Sequence, residues 1–153
     1  MSETADRGGM IGSHLCGFMQ DGVHILPIRV YYEDTDFGGG IYHASYVRFL
    51  ERGRTELLRS VSVSQRDLHR DMEGLTFVVR RMTLDYLKPG HMDDVLHVLT
   101  RPKEMRGASM TLAQEIRRGD ELLLTADVVV AAVKAGRAVR IPEELRTALS
   151  GER

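Results

Sequence analysis

The sequence predicts an α+β fold in which one long helix packs on one face of an antiparallel sheet. Three observations lead there. Residues 43–60 carry apolar side chains at helical spacing in a single stripe. Residues 75–134 change to long runs rich in β-branched and apolar residues, broken at Lys88-Pro89-Gly90 and at Gly119-Asp120. Strands of that length twist, so the sheet is expected to wrap around the helix it covers.

Residues 23–32 supply the first strand, through Val23, Ile25, Ile28, Val30 and Tyr32, with Pro27 marking an edge position or a strand start. A turn follows over 34–40, where three successive glycines allow positive φ and close backbone approach. The helix over 43–60 has Tyr46, Val47, Leu50, Gly53, Arg54, Leu57 and Leu58 on its inner stripe. Gly53 within that stripe suits a helix pressed against a sheet. Ser64 is placed to cap a short helix over 65–73, which Gly74 ends.

Four long strands are then expected in antiparallel succession, over 75–87, 92–101, 107–118 and 121–134. The third alternates, with Ala108, Met110, Leu112, Gln114 and Ile116 on one face. The fourth is the most apolar and suits the sheet centre. Gly119-Asp120 reads as a two-residue hairpin turn. Pro142 is suited to the first turn of a short terminal helix.

Composition bounds the function. A chain of 153 residues, 42% hydrophobic and 28% charged, reads as one globular domain, placed over 23–150. Residues 1–22, with Gly8, Gly9, Gly12, Gly17 and Gly22, are expected to form a flexible N-terminal extension. A formal net charge of −1 gives no global field to recruit nucleic acid or a membrane surface. No apolar run is long enough to span a bilayer, and the N-terminus lacks the pattern of a signal peptide, so a cytoplasmic location is expected. The single cysteine, Cys16, excludes an internal disulfide framework.

Chemistry concentrates in residues 31–46, Y-Y-E-D-T-D-F-G-G-G-I-Y-H-A-S-Y. Asp36, an anion at neutral pH, could attack an acyl carbon or draw a proton from water. The first N–H groups of the helix near His43 are suited to polarising a carbonyl oxygen. Taken alone, Asp34 and Asp36 read equally as turn residues making local hydrogen bonds. The D-x-D-x-G-G-G-x-x-H pattern entering a strong helix favours chemistry. His43 could orient a substrate or move a proton, or simply bond a turn carbonyl. Glu51 is expected to pair with Arg48, Arg52 or Arg54. The remaining histidines, His14, His24, His69, His91 and His97, show no metal-ligand spacing, and no metal is assigned. Gly38–Gly40 lacks the spacing of a dinucleotide or Walker loop. Arg80-Arg81 and Lys103 with Arg106 read either as phosphate recognition or as ordinary edge charge.

Residues 29–59, R-V-Y-Y-E-D-T-D-F-G-G-G-I-Y-H-A-S-Y-V-R-F-L-E-R-G-R-T-E-L-L-R, resemble the 4-hydroxybenzoyl-CoA thioesterase-like branch of the hotdog-fold superfamily. Within it they are most similar to the acyl-CoA thioesterases associated with the Tol–Pal cell-envelope system. F-V-V-R-R-M-T-L-D-Y, M-D-D-V-L and M-R-G-A-S-M extend the likeness to residues 28–135. The resemblance implies a hotdog fold, a sheet wrapped around the long helix, in a homodimer with a continuous sheet or a homotetramer. It implies hydrolysis of an acyl-CoA or acyl-carrier-protein thioester at sites on the subunit interface. Asp36 matches the family's nucleophile or general base, and Gly39 the motif glycine. His43 matches the helix-start position whose backbone N–H polarises the carbonyl, and its side chain is a candidate to assist. Arg106 and Ser109 match the coenzyme A contacts. A cell-envelope complex is implied as a partner, and no cofactor beyond the coenzyme A of the substrate. An aryl-CoA hydrolase and a non-catalytic binding or scaffold module are the alternatives. One departure is Gly40, where the family usually has an aliphatic residue. It is expected to loosen the turn.

Overall fold

The computed structural model describes residues 14–61 and 74–151. In chain order its elements are β1 (Phe18–Gln20), β2 (Val23–Arg29), α1 (His43–Ser60), β3 (Thr76–Tyr86), β4 (Val95–Met105), β5 (Ser109–Arg118), β6 (Glu121–Lys134), β7 (Arg137–Ala138) and α2 (Glu143–Ser150). Short 3-10 turns lie at His14–Cys16 and Tyr32–Asp34. The helix expected over 65–73, with its Ser64 cap, falls outside the described residues.

The strands form one antiparallel sheet in the order β1-β2-β4-β5-β6-β3, with β7 pairing β6. This is the expected α+β hotdog architecture. The α1 helix has the expected bounds, and it buries Ser45, Tyr46, Phe49, Leu50, Gly53, Arg54, Leu57 and Leu58. Facing it are Leu96 and Val98 of β4, Leu112 and Ile116 of β5 and Val128 of β6, all essentially inaccessible. Each such aliphatic side chain contributes roughly 1.5–3 kcal/mol relative to exposure.

Gly53 sets how closely helix and sheet approach. A Cβ there would lie 2.7 Å from Val98 Cγ1, 2.8 Å from Thr100 Oγ1 and 3.1 Å from Gln114 Nε2. Under this contact the Gln114 amide donates to the Leu50 carbonyl and to Thr100 Oγ1, each at 2.9 Å, and its oxygen accepts from Arg54 Nη1 at 3.1 Å. A polar side chain on the predicted inner face of β5 is thus satisfied by the helix it touches.

Two expectations need correction. The four long strands do not follow one another across the sheet: β3 pairs with β6, and β2 takes the place beside β4. The β3–β4 connection therefore crosses the end of the sheet. Three strand spacings are about 14 Å, well within the reach of the eight residues 87–94. Nor are all of residues 1–22 an extension, because Phe18–Gln20 pairs with Val23–Ile25. The turn between them is Asp21-Gly22, both at positive φ (52° and 78°), the backbone that a two-residue hairpin demands. As β1 stops opposite Ile25, Pro27 lies on an open edge where its missing N–H costs nothing.

Candidate active site

After β2 the chain folds into a pinned loop. Asp34 is buried and structural, with its Oδ2 accepting the Tyr31 N–H at 2.8 Å and its carbonyl accepting the Tyr42 N–H at 2.9 Å. Thr35 bridges Ile41, and Gly40 bridges His91. The tip is closed by Asp36 N–H to Gly40 O at 2.9 Å and Gly39 N–H to Asp36 O at 3.0 Å. Gly39 has φ 85°, a conformation that side chains disfavour.

Asp36 is exposed at this tip. Its Oδ1 accepts the Gly38 N–H at 2.9 Å, the local hydrogen bond of an Asx turn. Among the described residues its side chain makes no other hydrogen bond, so the second oxygen faces solvent. The turn role and a chemical role therefore coexist in one carboxylate.

The start of α1 follows seven residues on, at His43. Tyr42 is the N-cap residue and makes no side-chain capping bond. The Ser45 N–H donates to Tyr42 O at 2.8 Å. The amides of His43 and Ala44 have no acceptor within the helix, and they form the positive end of its dipole. His43 is exposed, its ring 4.6 Å from that of Tyr42.

Two tyrosines that the motif reading did not single out support this corner. Tyr86 Oη donates to the His43 carbonyl at 2.9 Å, fixing the end of β3 to the helix start. Tyr46 Oη accepts the Gly90 N–H at 3.0 Å, and its ring meets Tyr86 edge-on at 5.5 Å. Burial pushes both phenols up, with the Gly90 amide partly opposing this at Tyr46. Both remain neutral hydrogen-bonding groups at physiological pH. With Gly40, Ile41, His43 and Pro89 they line an open cleft of about 270 Å³. Behind it, Arg118 bonds Asp94 at 2.7 Å and the Pro89 carbonyl at 3.3 Å. Partial burial would raise Asp94, but hydrogen bonds from Arg118 and the His91 amide, with the Arg118 charge, hold it below its ordinary value.

Gly40 does not loosen the turn. Its carbonyl and its bridge to His91 hold it in place, its φ is not positive, and an added Cβ would sit an ordinary 3.6 Å from Gly90 O. What the missing side chain changes is the wall of the cleft.

Asp36 and Gly39 stand on the loop and His43 at the helix start that follows it; of the three, His43 lines the cleft. Arg106 and Ser109 are not part of that corner. Ser109 pairs with Ala131 on β6 and Tyr86 with Leu124, a separation of seven residues, or about 23 Å along the strand. They line a separate depression of about 340 Å³ together with Arg80 and Arg81. Arg106 Nε bonds Glu104 at 3.0 Å in an exposed pair. Glu51 pairs with no arginine among the described residues. It accepts from Thr55 Oγ1 at 3.0 Å.

An antiparallel sheet packed on one long helix, with an open carboxylate ahead of an uncapped helix start, is the arrangement that the sequence resemblance implies for a thioesterase of the hotdog class. Comparison with known proteins reaches the same class. Residues 30–149 match the family model of the thioesterase-like superfamily, beyond the sequence likeness at its C-terminal end. The acyl-CoA thioester hydrolase YbgC of Escherichia coli O6:H1 is 49% identical over 108 residues, covering 70% of this chain and 79% of that protein. The acyl-CoA thioesterase YbgC of Haemophilus influenzae is 41% identical over 132 residues, covering 85% and 96%. The crystal structure of a probable thioesterase from Bartonella henselae superposes with a TM-score of 0.76 at 39% identity, covering 78% of this chain and 99% of that one. The chain belongs to the thioesterase-like superfamily, in the company of the YbgC proteins. No helix among the described residues is long and apolar enough to cross a membrane.

Proposed function

We propose that the protein hydrolyses acyl-CoA thioesters, with Asp36 as nucleophile or general base and the helix-start amides around His43 as the oxyanion hole. The observation that carries this reading is the exposed carboxylate seven residues ahead of a helix start that no side chain caps. A thioester carbonyl set against those amides is polarised, and its developing negative charge meets the helix dipole. Asp36 then attacks the acyl carbon, expelling the CoA thiolate and leaving an anhydride for water to open. In the general-base route it takes the proton of a water that attacks directly. Gly39 lets the backbone turn tightly enough to hold Asp36 in place, and the His43 ring borders the cleft, where it can orient the substrate.

The reading includes a homodimer. Among the described residues β3 pairs β6 on one side only, and its other edge is open along eleven residues, with Val78, Val79 and Tyr86 exposed. A long apolar edge of this kind asks for a cover. Antiparallel pairing of β3 with its copy places the Thr76 end of one strand beside the Tyr86 end of the other. Arg106 and Ser109 of one subunit, level with Val78 near the Thr76 end, then approach Asp36 and His43 of the partner subunit, while Arg80 and Arg81 lie near the middle of the pairing. The basic groups are suited to the phosphates of coenzyme A.

The test is Asp36→Asn, which keeps the side-chain shape and removes the anion. Release of free thiol from a panel of acyl-CoAs is expected to fall by about 10²-fold or more, with the thermal midpoint little changed. Unchanged turnover would overturn the assignment.

A further inference from the structure

Beneath the middle of α1, apart from the Asp36 loop, lies another cavity of about 140 Å³, room for several non-hydrogen atoms. Leu57, Phe77, Val79, Leu112 and Val130 give it apolar walls, and Arg54 and Glu51 are its charged lining among the described residues. Arg54 sits on the inner stripe of the helix at only 8% exposure. Among the described residues it makes one hydrogen bond, to the neutral oxygen of Gln114, and no salt bridge, though the Glu51 carboxylate lines the same cavity. Gln114 is itself held by Leu50 and Thr100, so it cannot turn away. Burial lowers the Arg54 pKa and the Glu51 charge opposes this, but a guanidinium stays charged at neutral pH. A buried cation with most of its donors unspent is costly unless something binds there. The apolar walls ask for carbon, and the guanidinium asks for an oxygen acceptor beyond it.

We infer that this cavity receives the distal end of the acyl group, and that Arg54 selects acyl groups ending in an oxygen acceptor, a carboxylate above all. The inference rests on the thioesterase reading and on the β3-paired dimer, and it names the substrate class of that site. Phe77 and Val79 bring the cavity to the Thr76 end of the β3 edge. That is the end beside which the dimer sets Tyr86 of the partner subunit, and with it the His43 to which Tyr86 is bonded. An acyl chain held at that helix start can continue into the cavity beneath the facing α1. Its last atoms then meet Arg54. A carboxylate takes two N–H groups of the fork, a hydroxyl or carbonyl takes one, and a methyl group takes none.

The test uses non-hydrolysable thioether analogues of acyl-CoA, equal in chain length and ending in methyl, hydroxyl or carboxylate, titrated by calorimetry into the intact protein. The carboxylate analogue is expected to bind at least about tenfold tighter than the methyl analogue, with hydroxyl between them. Arg54→Met is expected to abolish or reverse the ranking, and Arg54→Lys to keep part of it. Equal or tighter binding of the methyl analogue by the unaltered protein overturns the inference, as does a ranking that survives Arg54→Met. If Arg54→Met does not fold, the ranking in the unaltered protein and in Arg54→Lys decides. Because the analogues are not turned over, the outcome is independent of Asp36. Failure of this ranking would leave hydrolysis of methyl-ended acyl-CoAs intact, and failure of Asp36→Asn to lose activity would leave the ranking standing.

Discussion

Replacing Gly53 by alanine probes the closest contact in the fold. On an exposed helix the change would stabilise by about 1 kcal/mol through helix propensity. Here the new Cβ would stand 2.7 Å from Val98 Cγ1 and 2.8 Å from Thr100 Oγ1, inside van der Waals contact on two buried β-branched residues that are stiff at χ1. Forcing a methyl group into a packed core costs about 1–3 kcal/mol. It also presses on Gln114 Nε2, whose bonds to Leu50 and Thr100 leave a buried N–H unpaired if they break, for about 1–3 kcal/mol more. The net expectation is destabilisation by about 2 kcal/mol, or a fall of about 4–8 °C in thermal midpoint for a chain of this size. Calorimetry or urea denaturation measures it. Against a Val98→Ala background the change should cost less, since that removes the nearer clashing atom without touching the Gln114 bonds. A Gly53→Ala protein as stable as its parent would refute the account of how helix and sheet fit together.

Gly40→Ala should behave in the opposite sense. Its φ is not positive and the added carbon meets only Gly90 O at 3.6 Å, so a gain of about 0.4–1 kcal/mol is expected from the restricted unfolded chain, and a loss in urea midpoint would contradict it. His24 should make stability depend on pH. Its ring is fully buried, with Nε2 at 2.8 Å from Cys16 O and Nδ1 unpartnered, and burial lowers its pKa despite the Cys16 bond and the Glu56 charge. Above about pH 6.5 the ring is neutral both folded and unfolded and contributes no pH dependence. As pH falls below that, the unfolded chain takes up the proton first and stability drops, until the folded pKa is passed. Urea midpoints between pH 7 and pH 5 should therefore decline less in His24→Gln, and equal slopes would remove His24 as the cause.

The α1 helix was legible because its signal is local: the stripe repeats along one segment and both ends fall where expected. Strand order was not legible. Which edge β3 joins depends on how the sheet curls around α1, and no periodicity within β3 records it. Asp21-Gly22 was a readable hairpin signal, but the surrounding glycines pointed toward flexibility instead. Asp36, Gly39 and His43 could be picked out as candidates because they fall within eight consecutive residues. Tyr86 could not, because forty-three residues of chain separate it from the carbonyl it holds. Arg54 did leave a sign, a cation at an apolar position of the stripe, whose meaning depended on Gln114 being the residue beneath it.

An oxyanion hole acts strongly only where water is kept away, since hydrogen bonds and dipoles gain weight as the local dielectric falls. In the single chain Asp36, Phe37, Tyr42 and His43 all stand in solvent, around a cleft open on one side. Among the described residues the long edge of β3 is unpaired, with Arg80 and Arg81 at its middle, and Arg54 beneath the helix has donors unspent. These are separate deficits for one subunit, and the proposed two-fold pairing along β3 would answer all of them. It would cap the edge, shield the helix start, and set Arg106 and Ser109 of one subunit toward the carboxylate of the other. It would also line up the Arg54 cavity with the acyl chain. A pairing elsewhere on the surface would bury area without joining these parts. The proposed dimer therefore stands or falls on one expectation, that the open edge, the exposed carboxylate and the Arg54 guanidinium act as parts of one site that two copies of the chain complete.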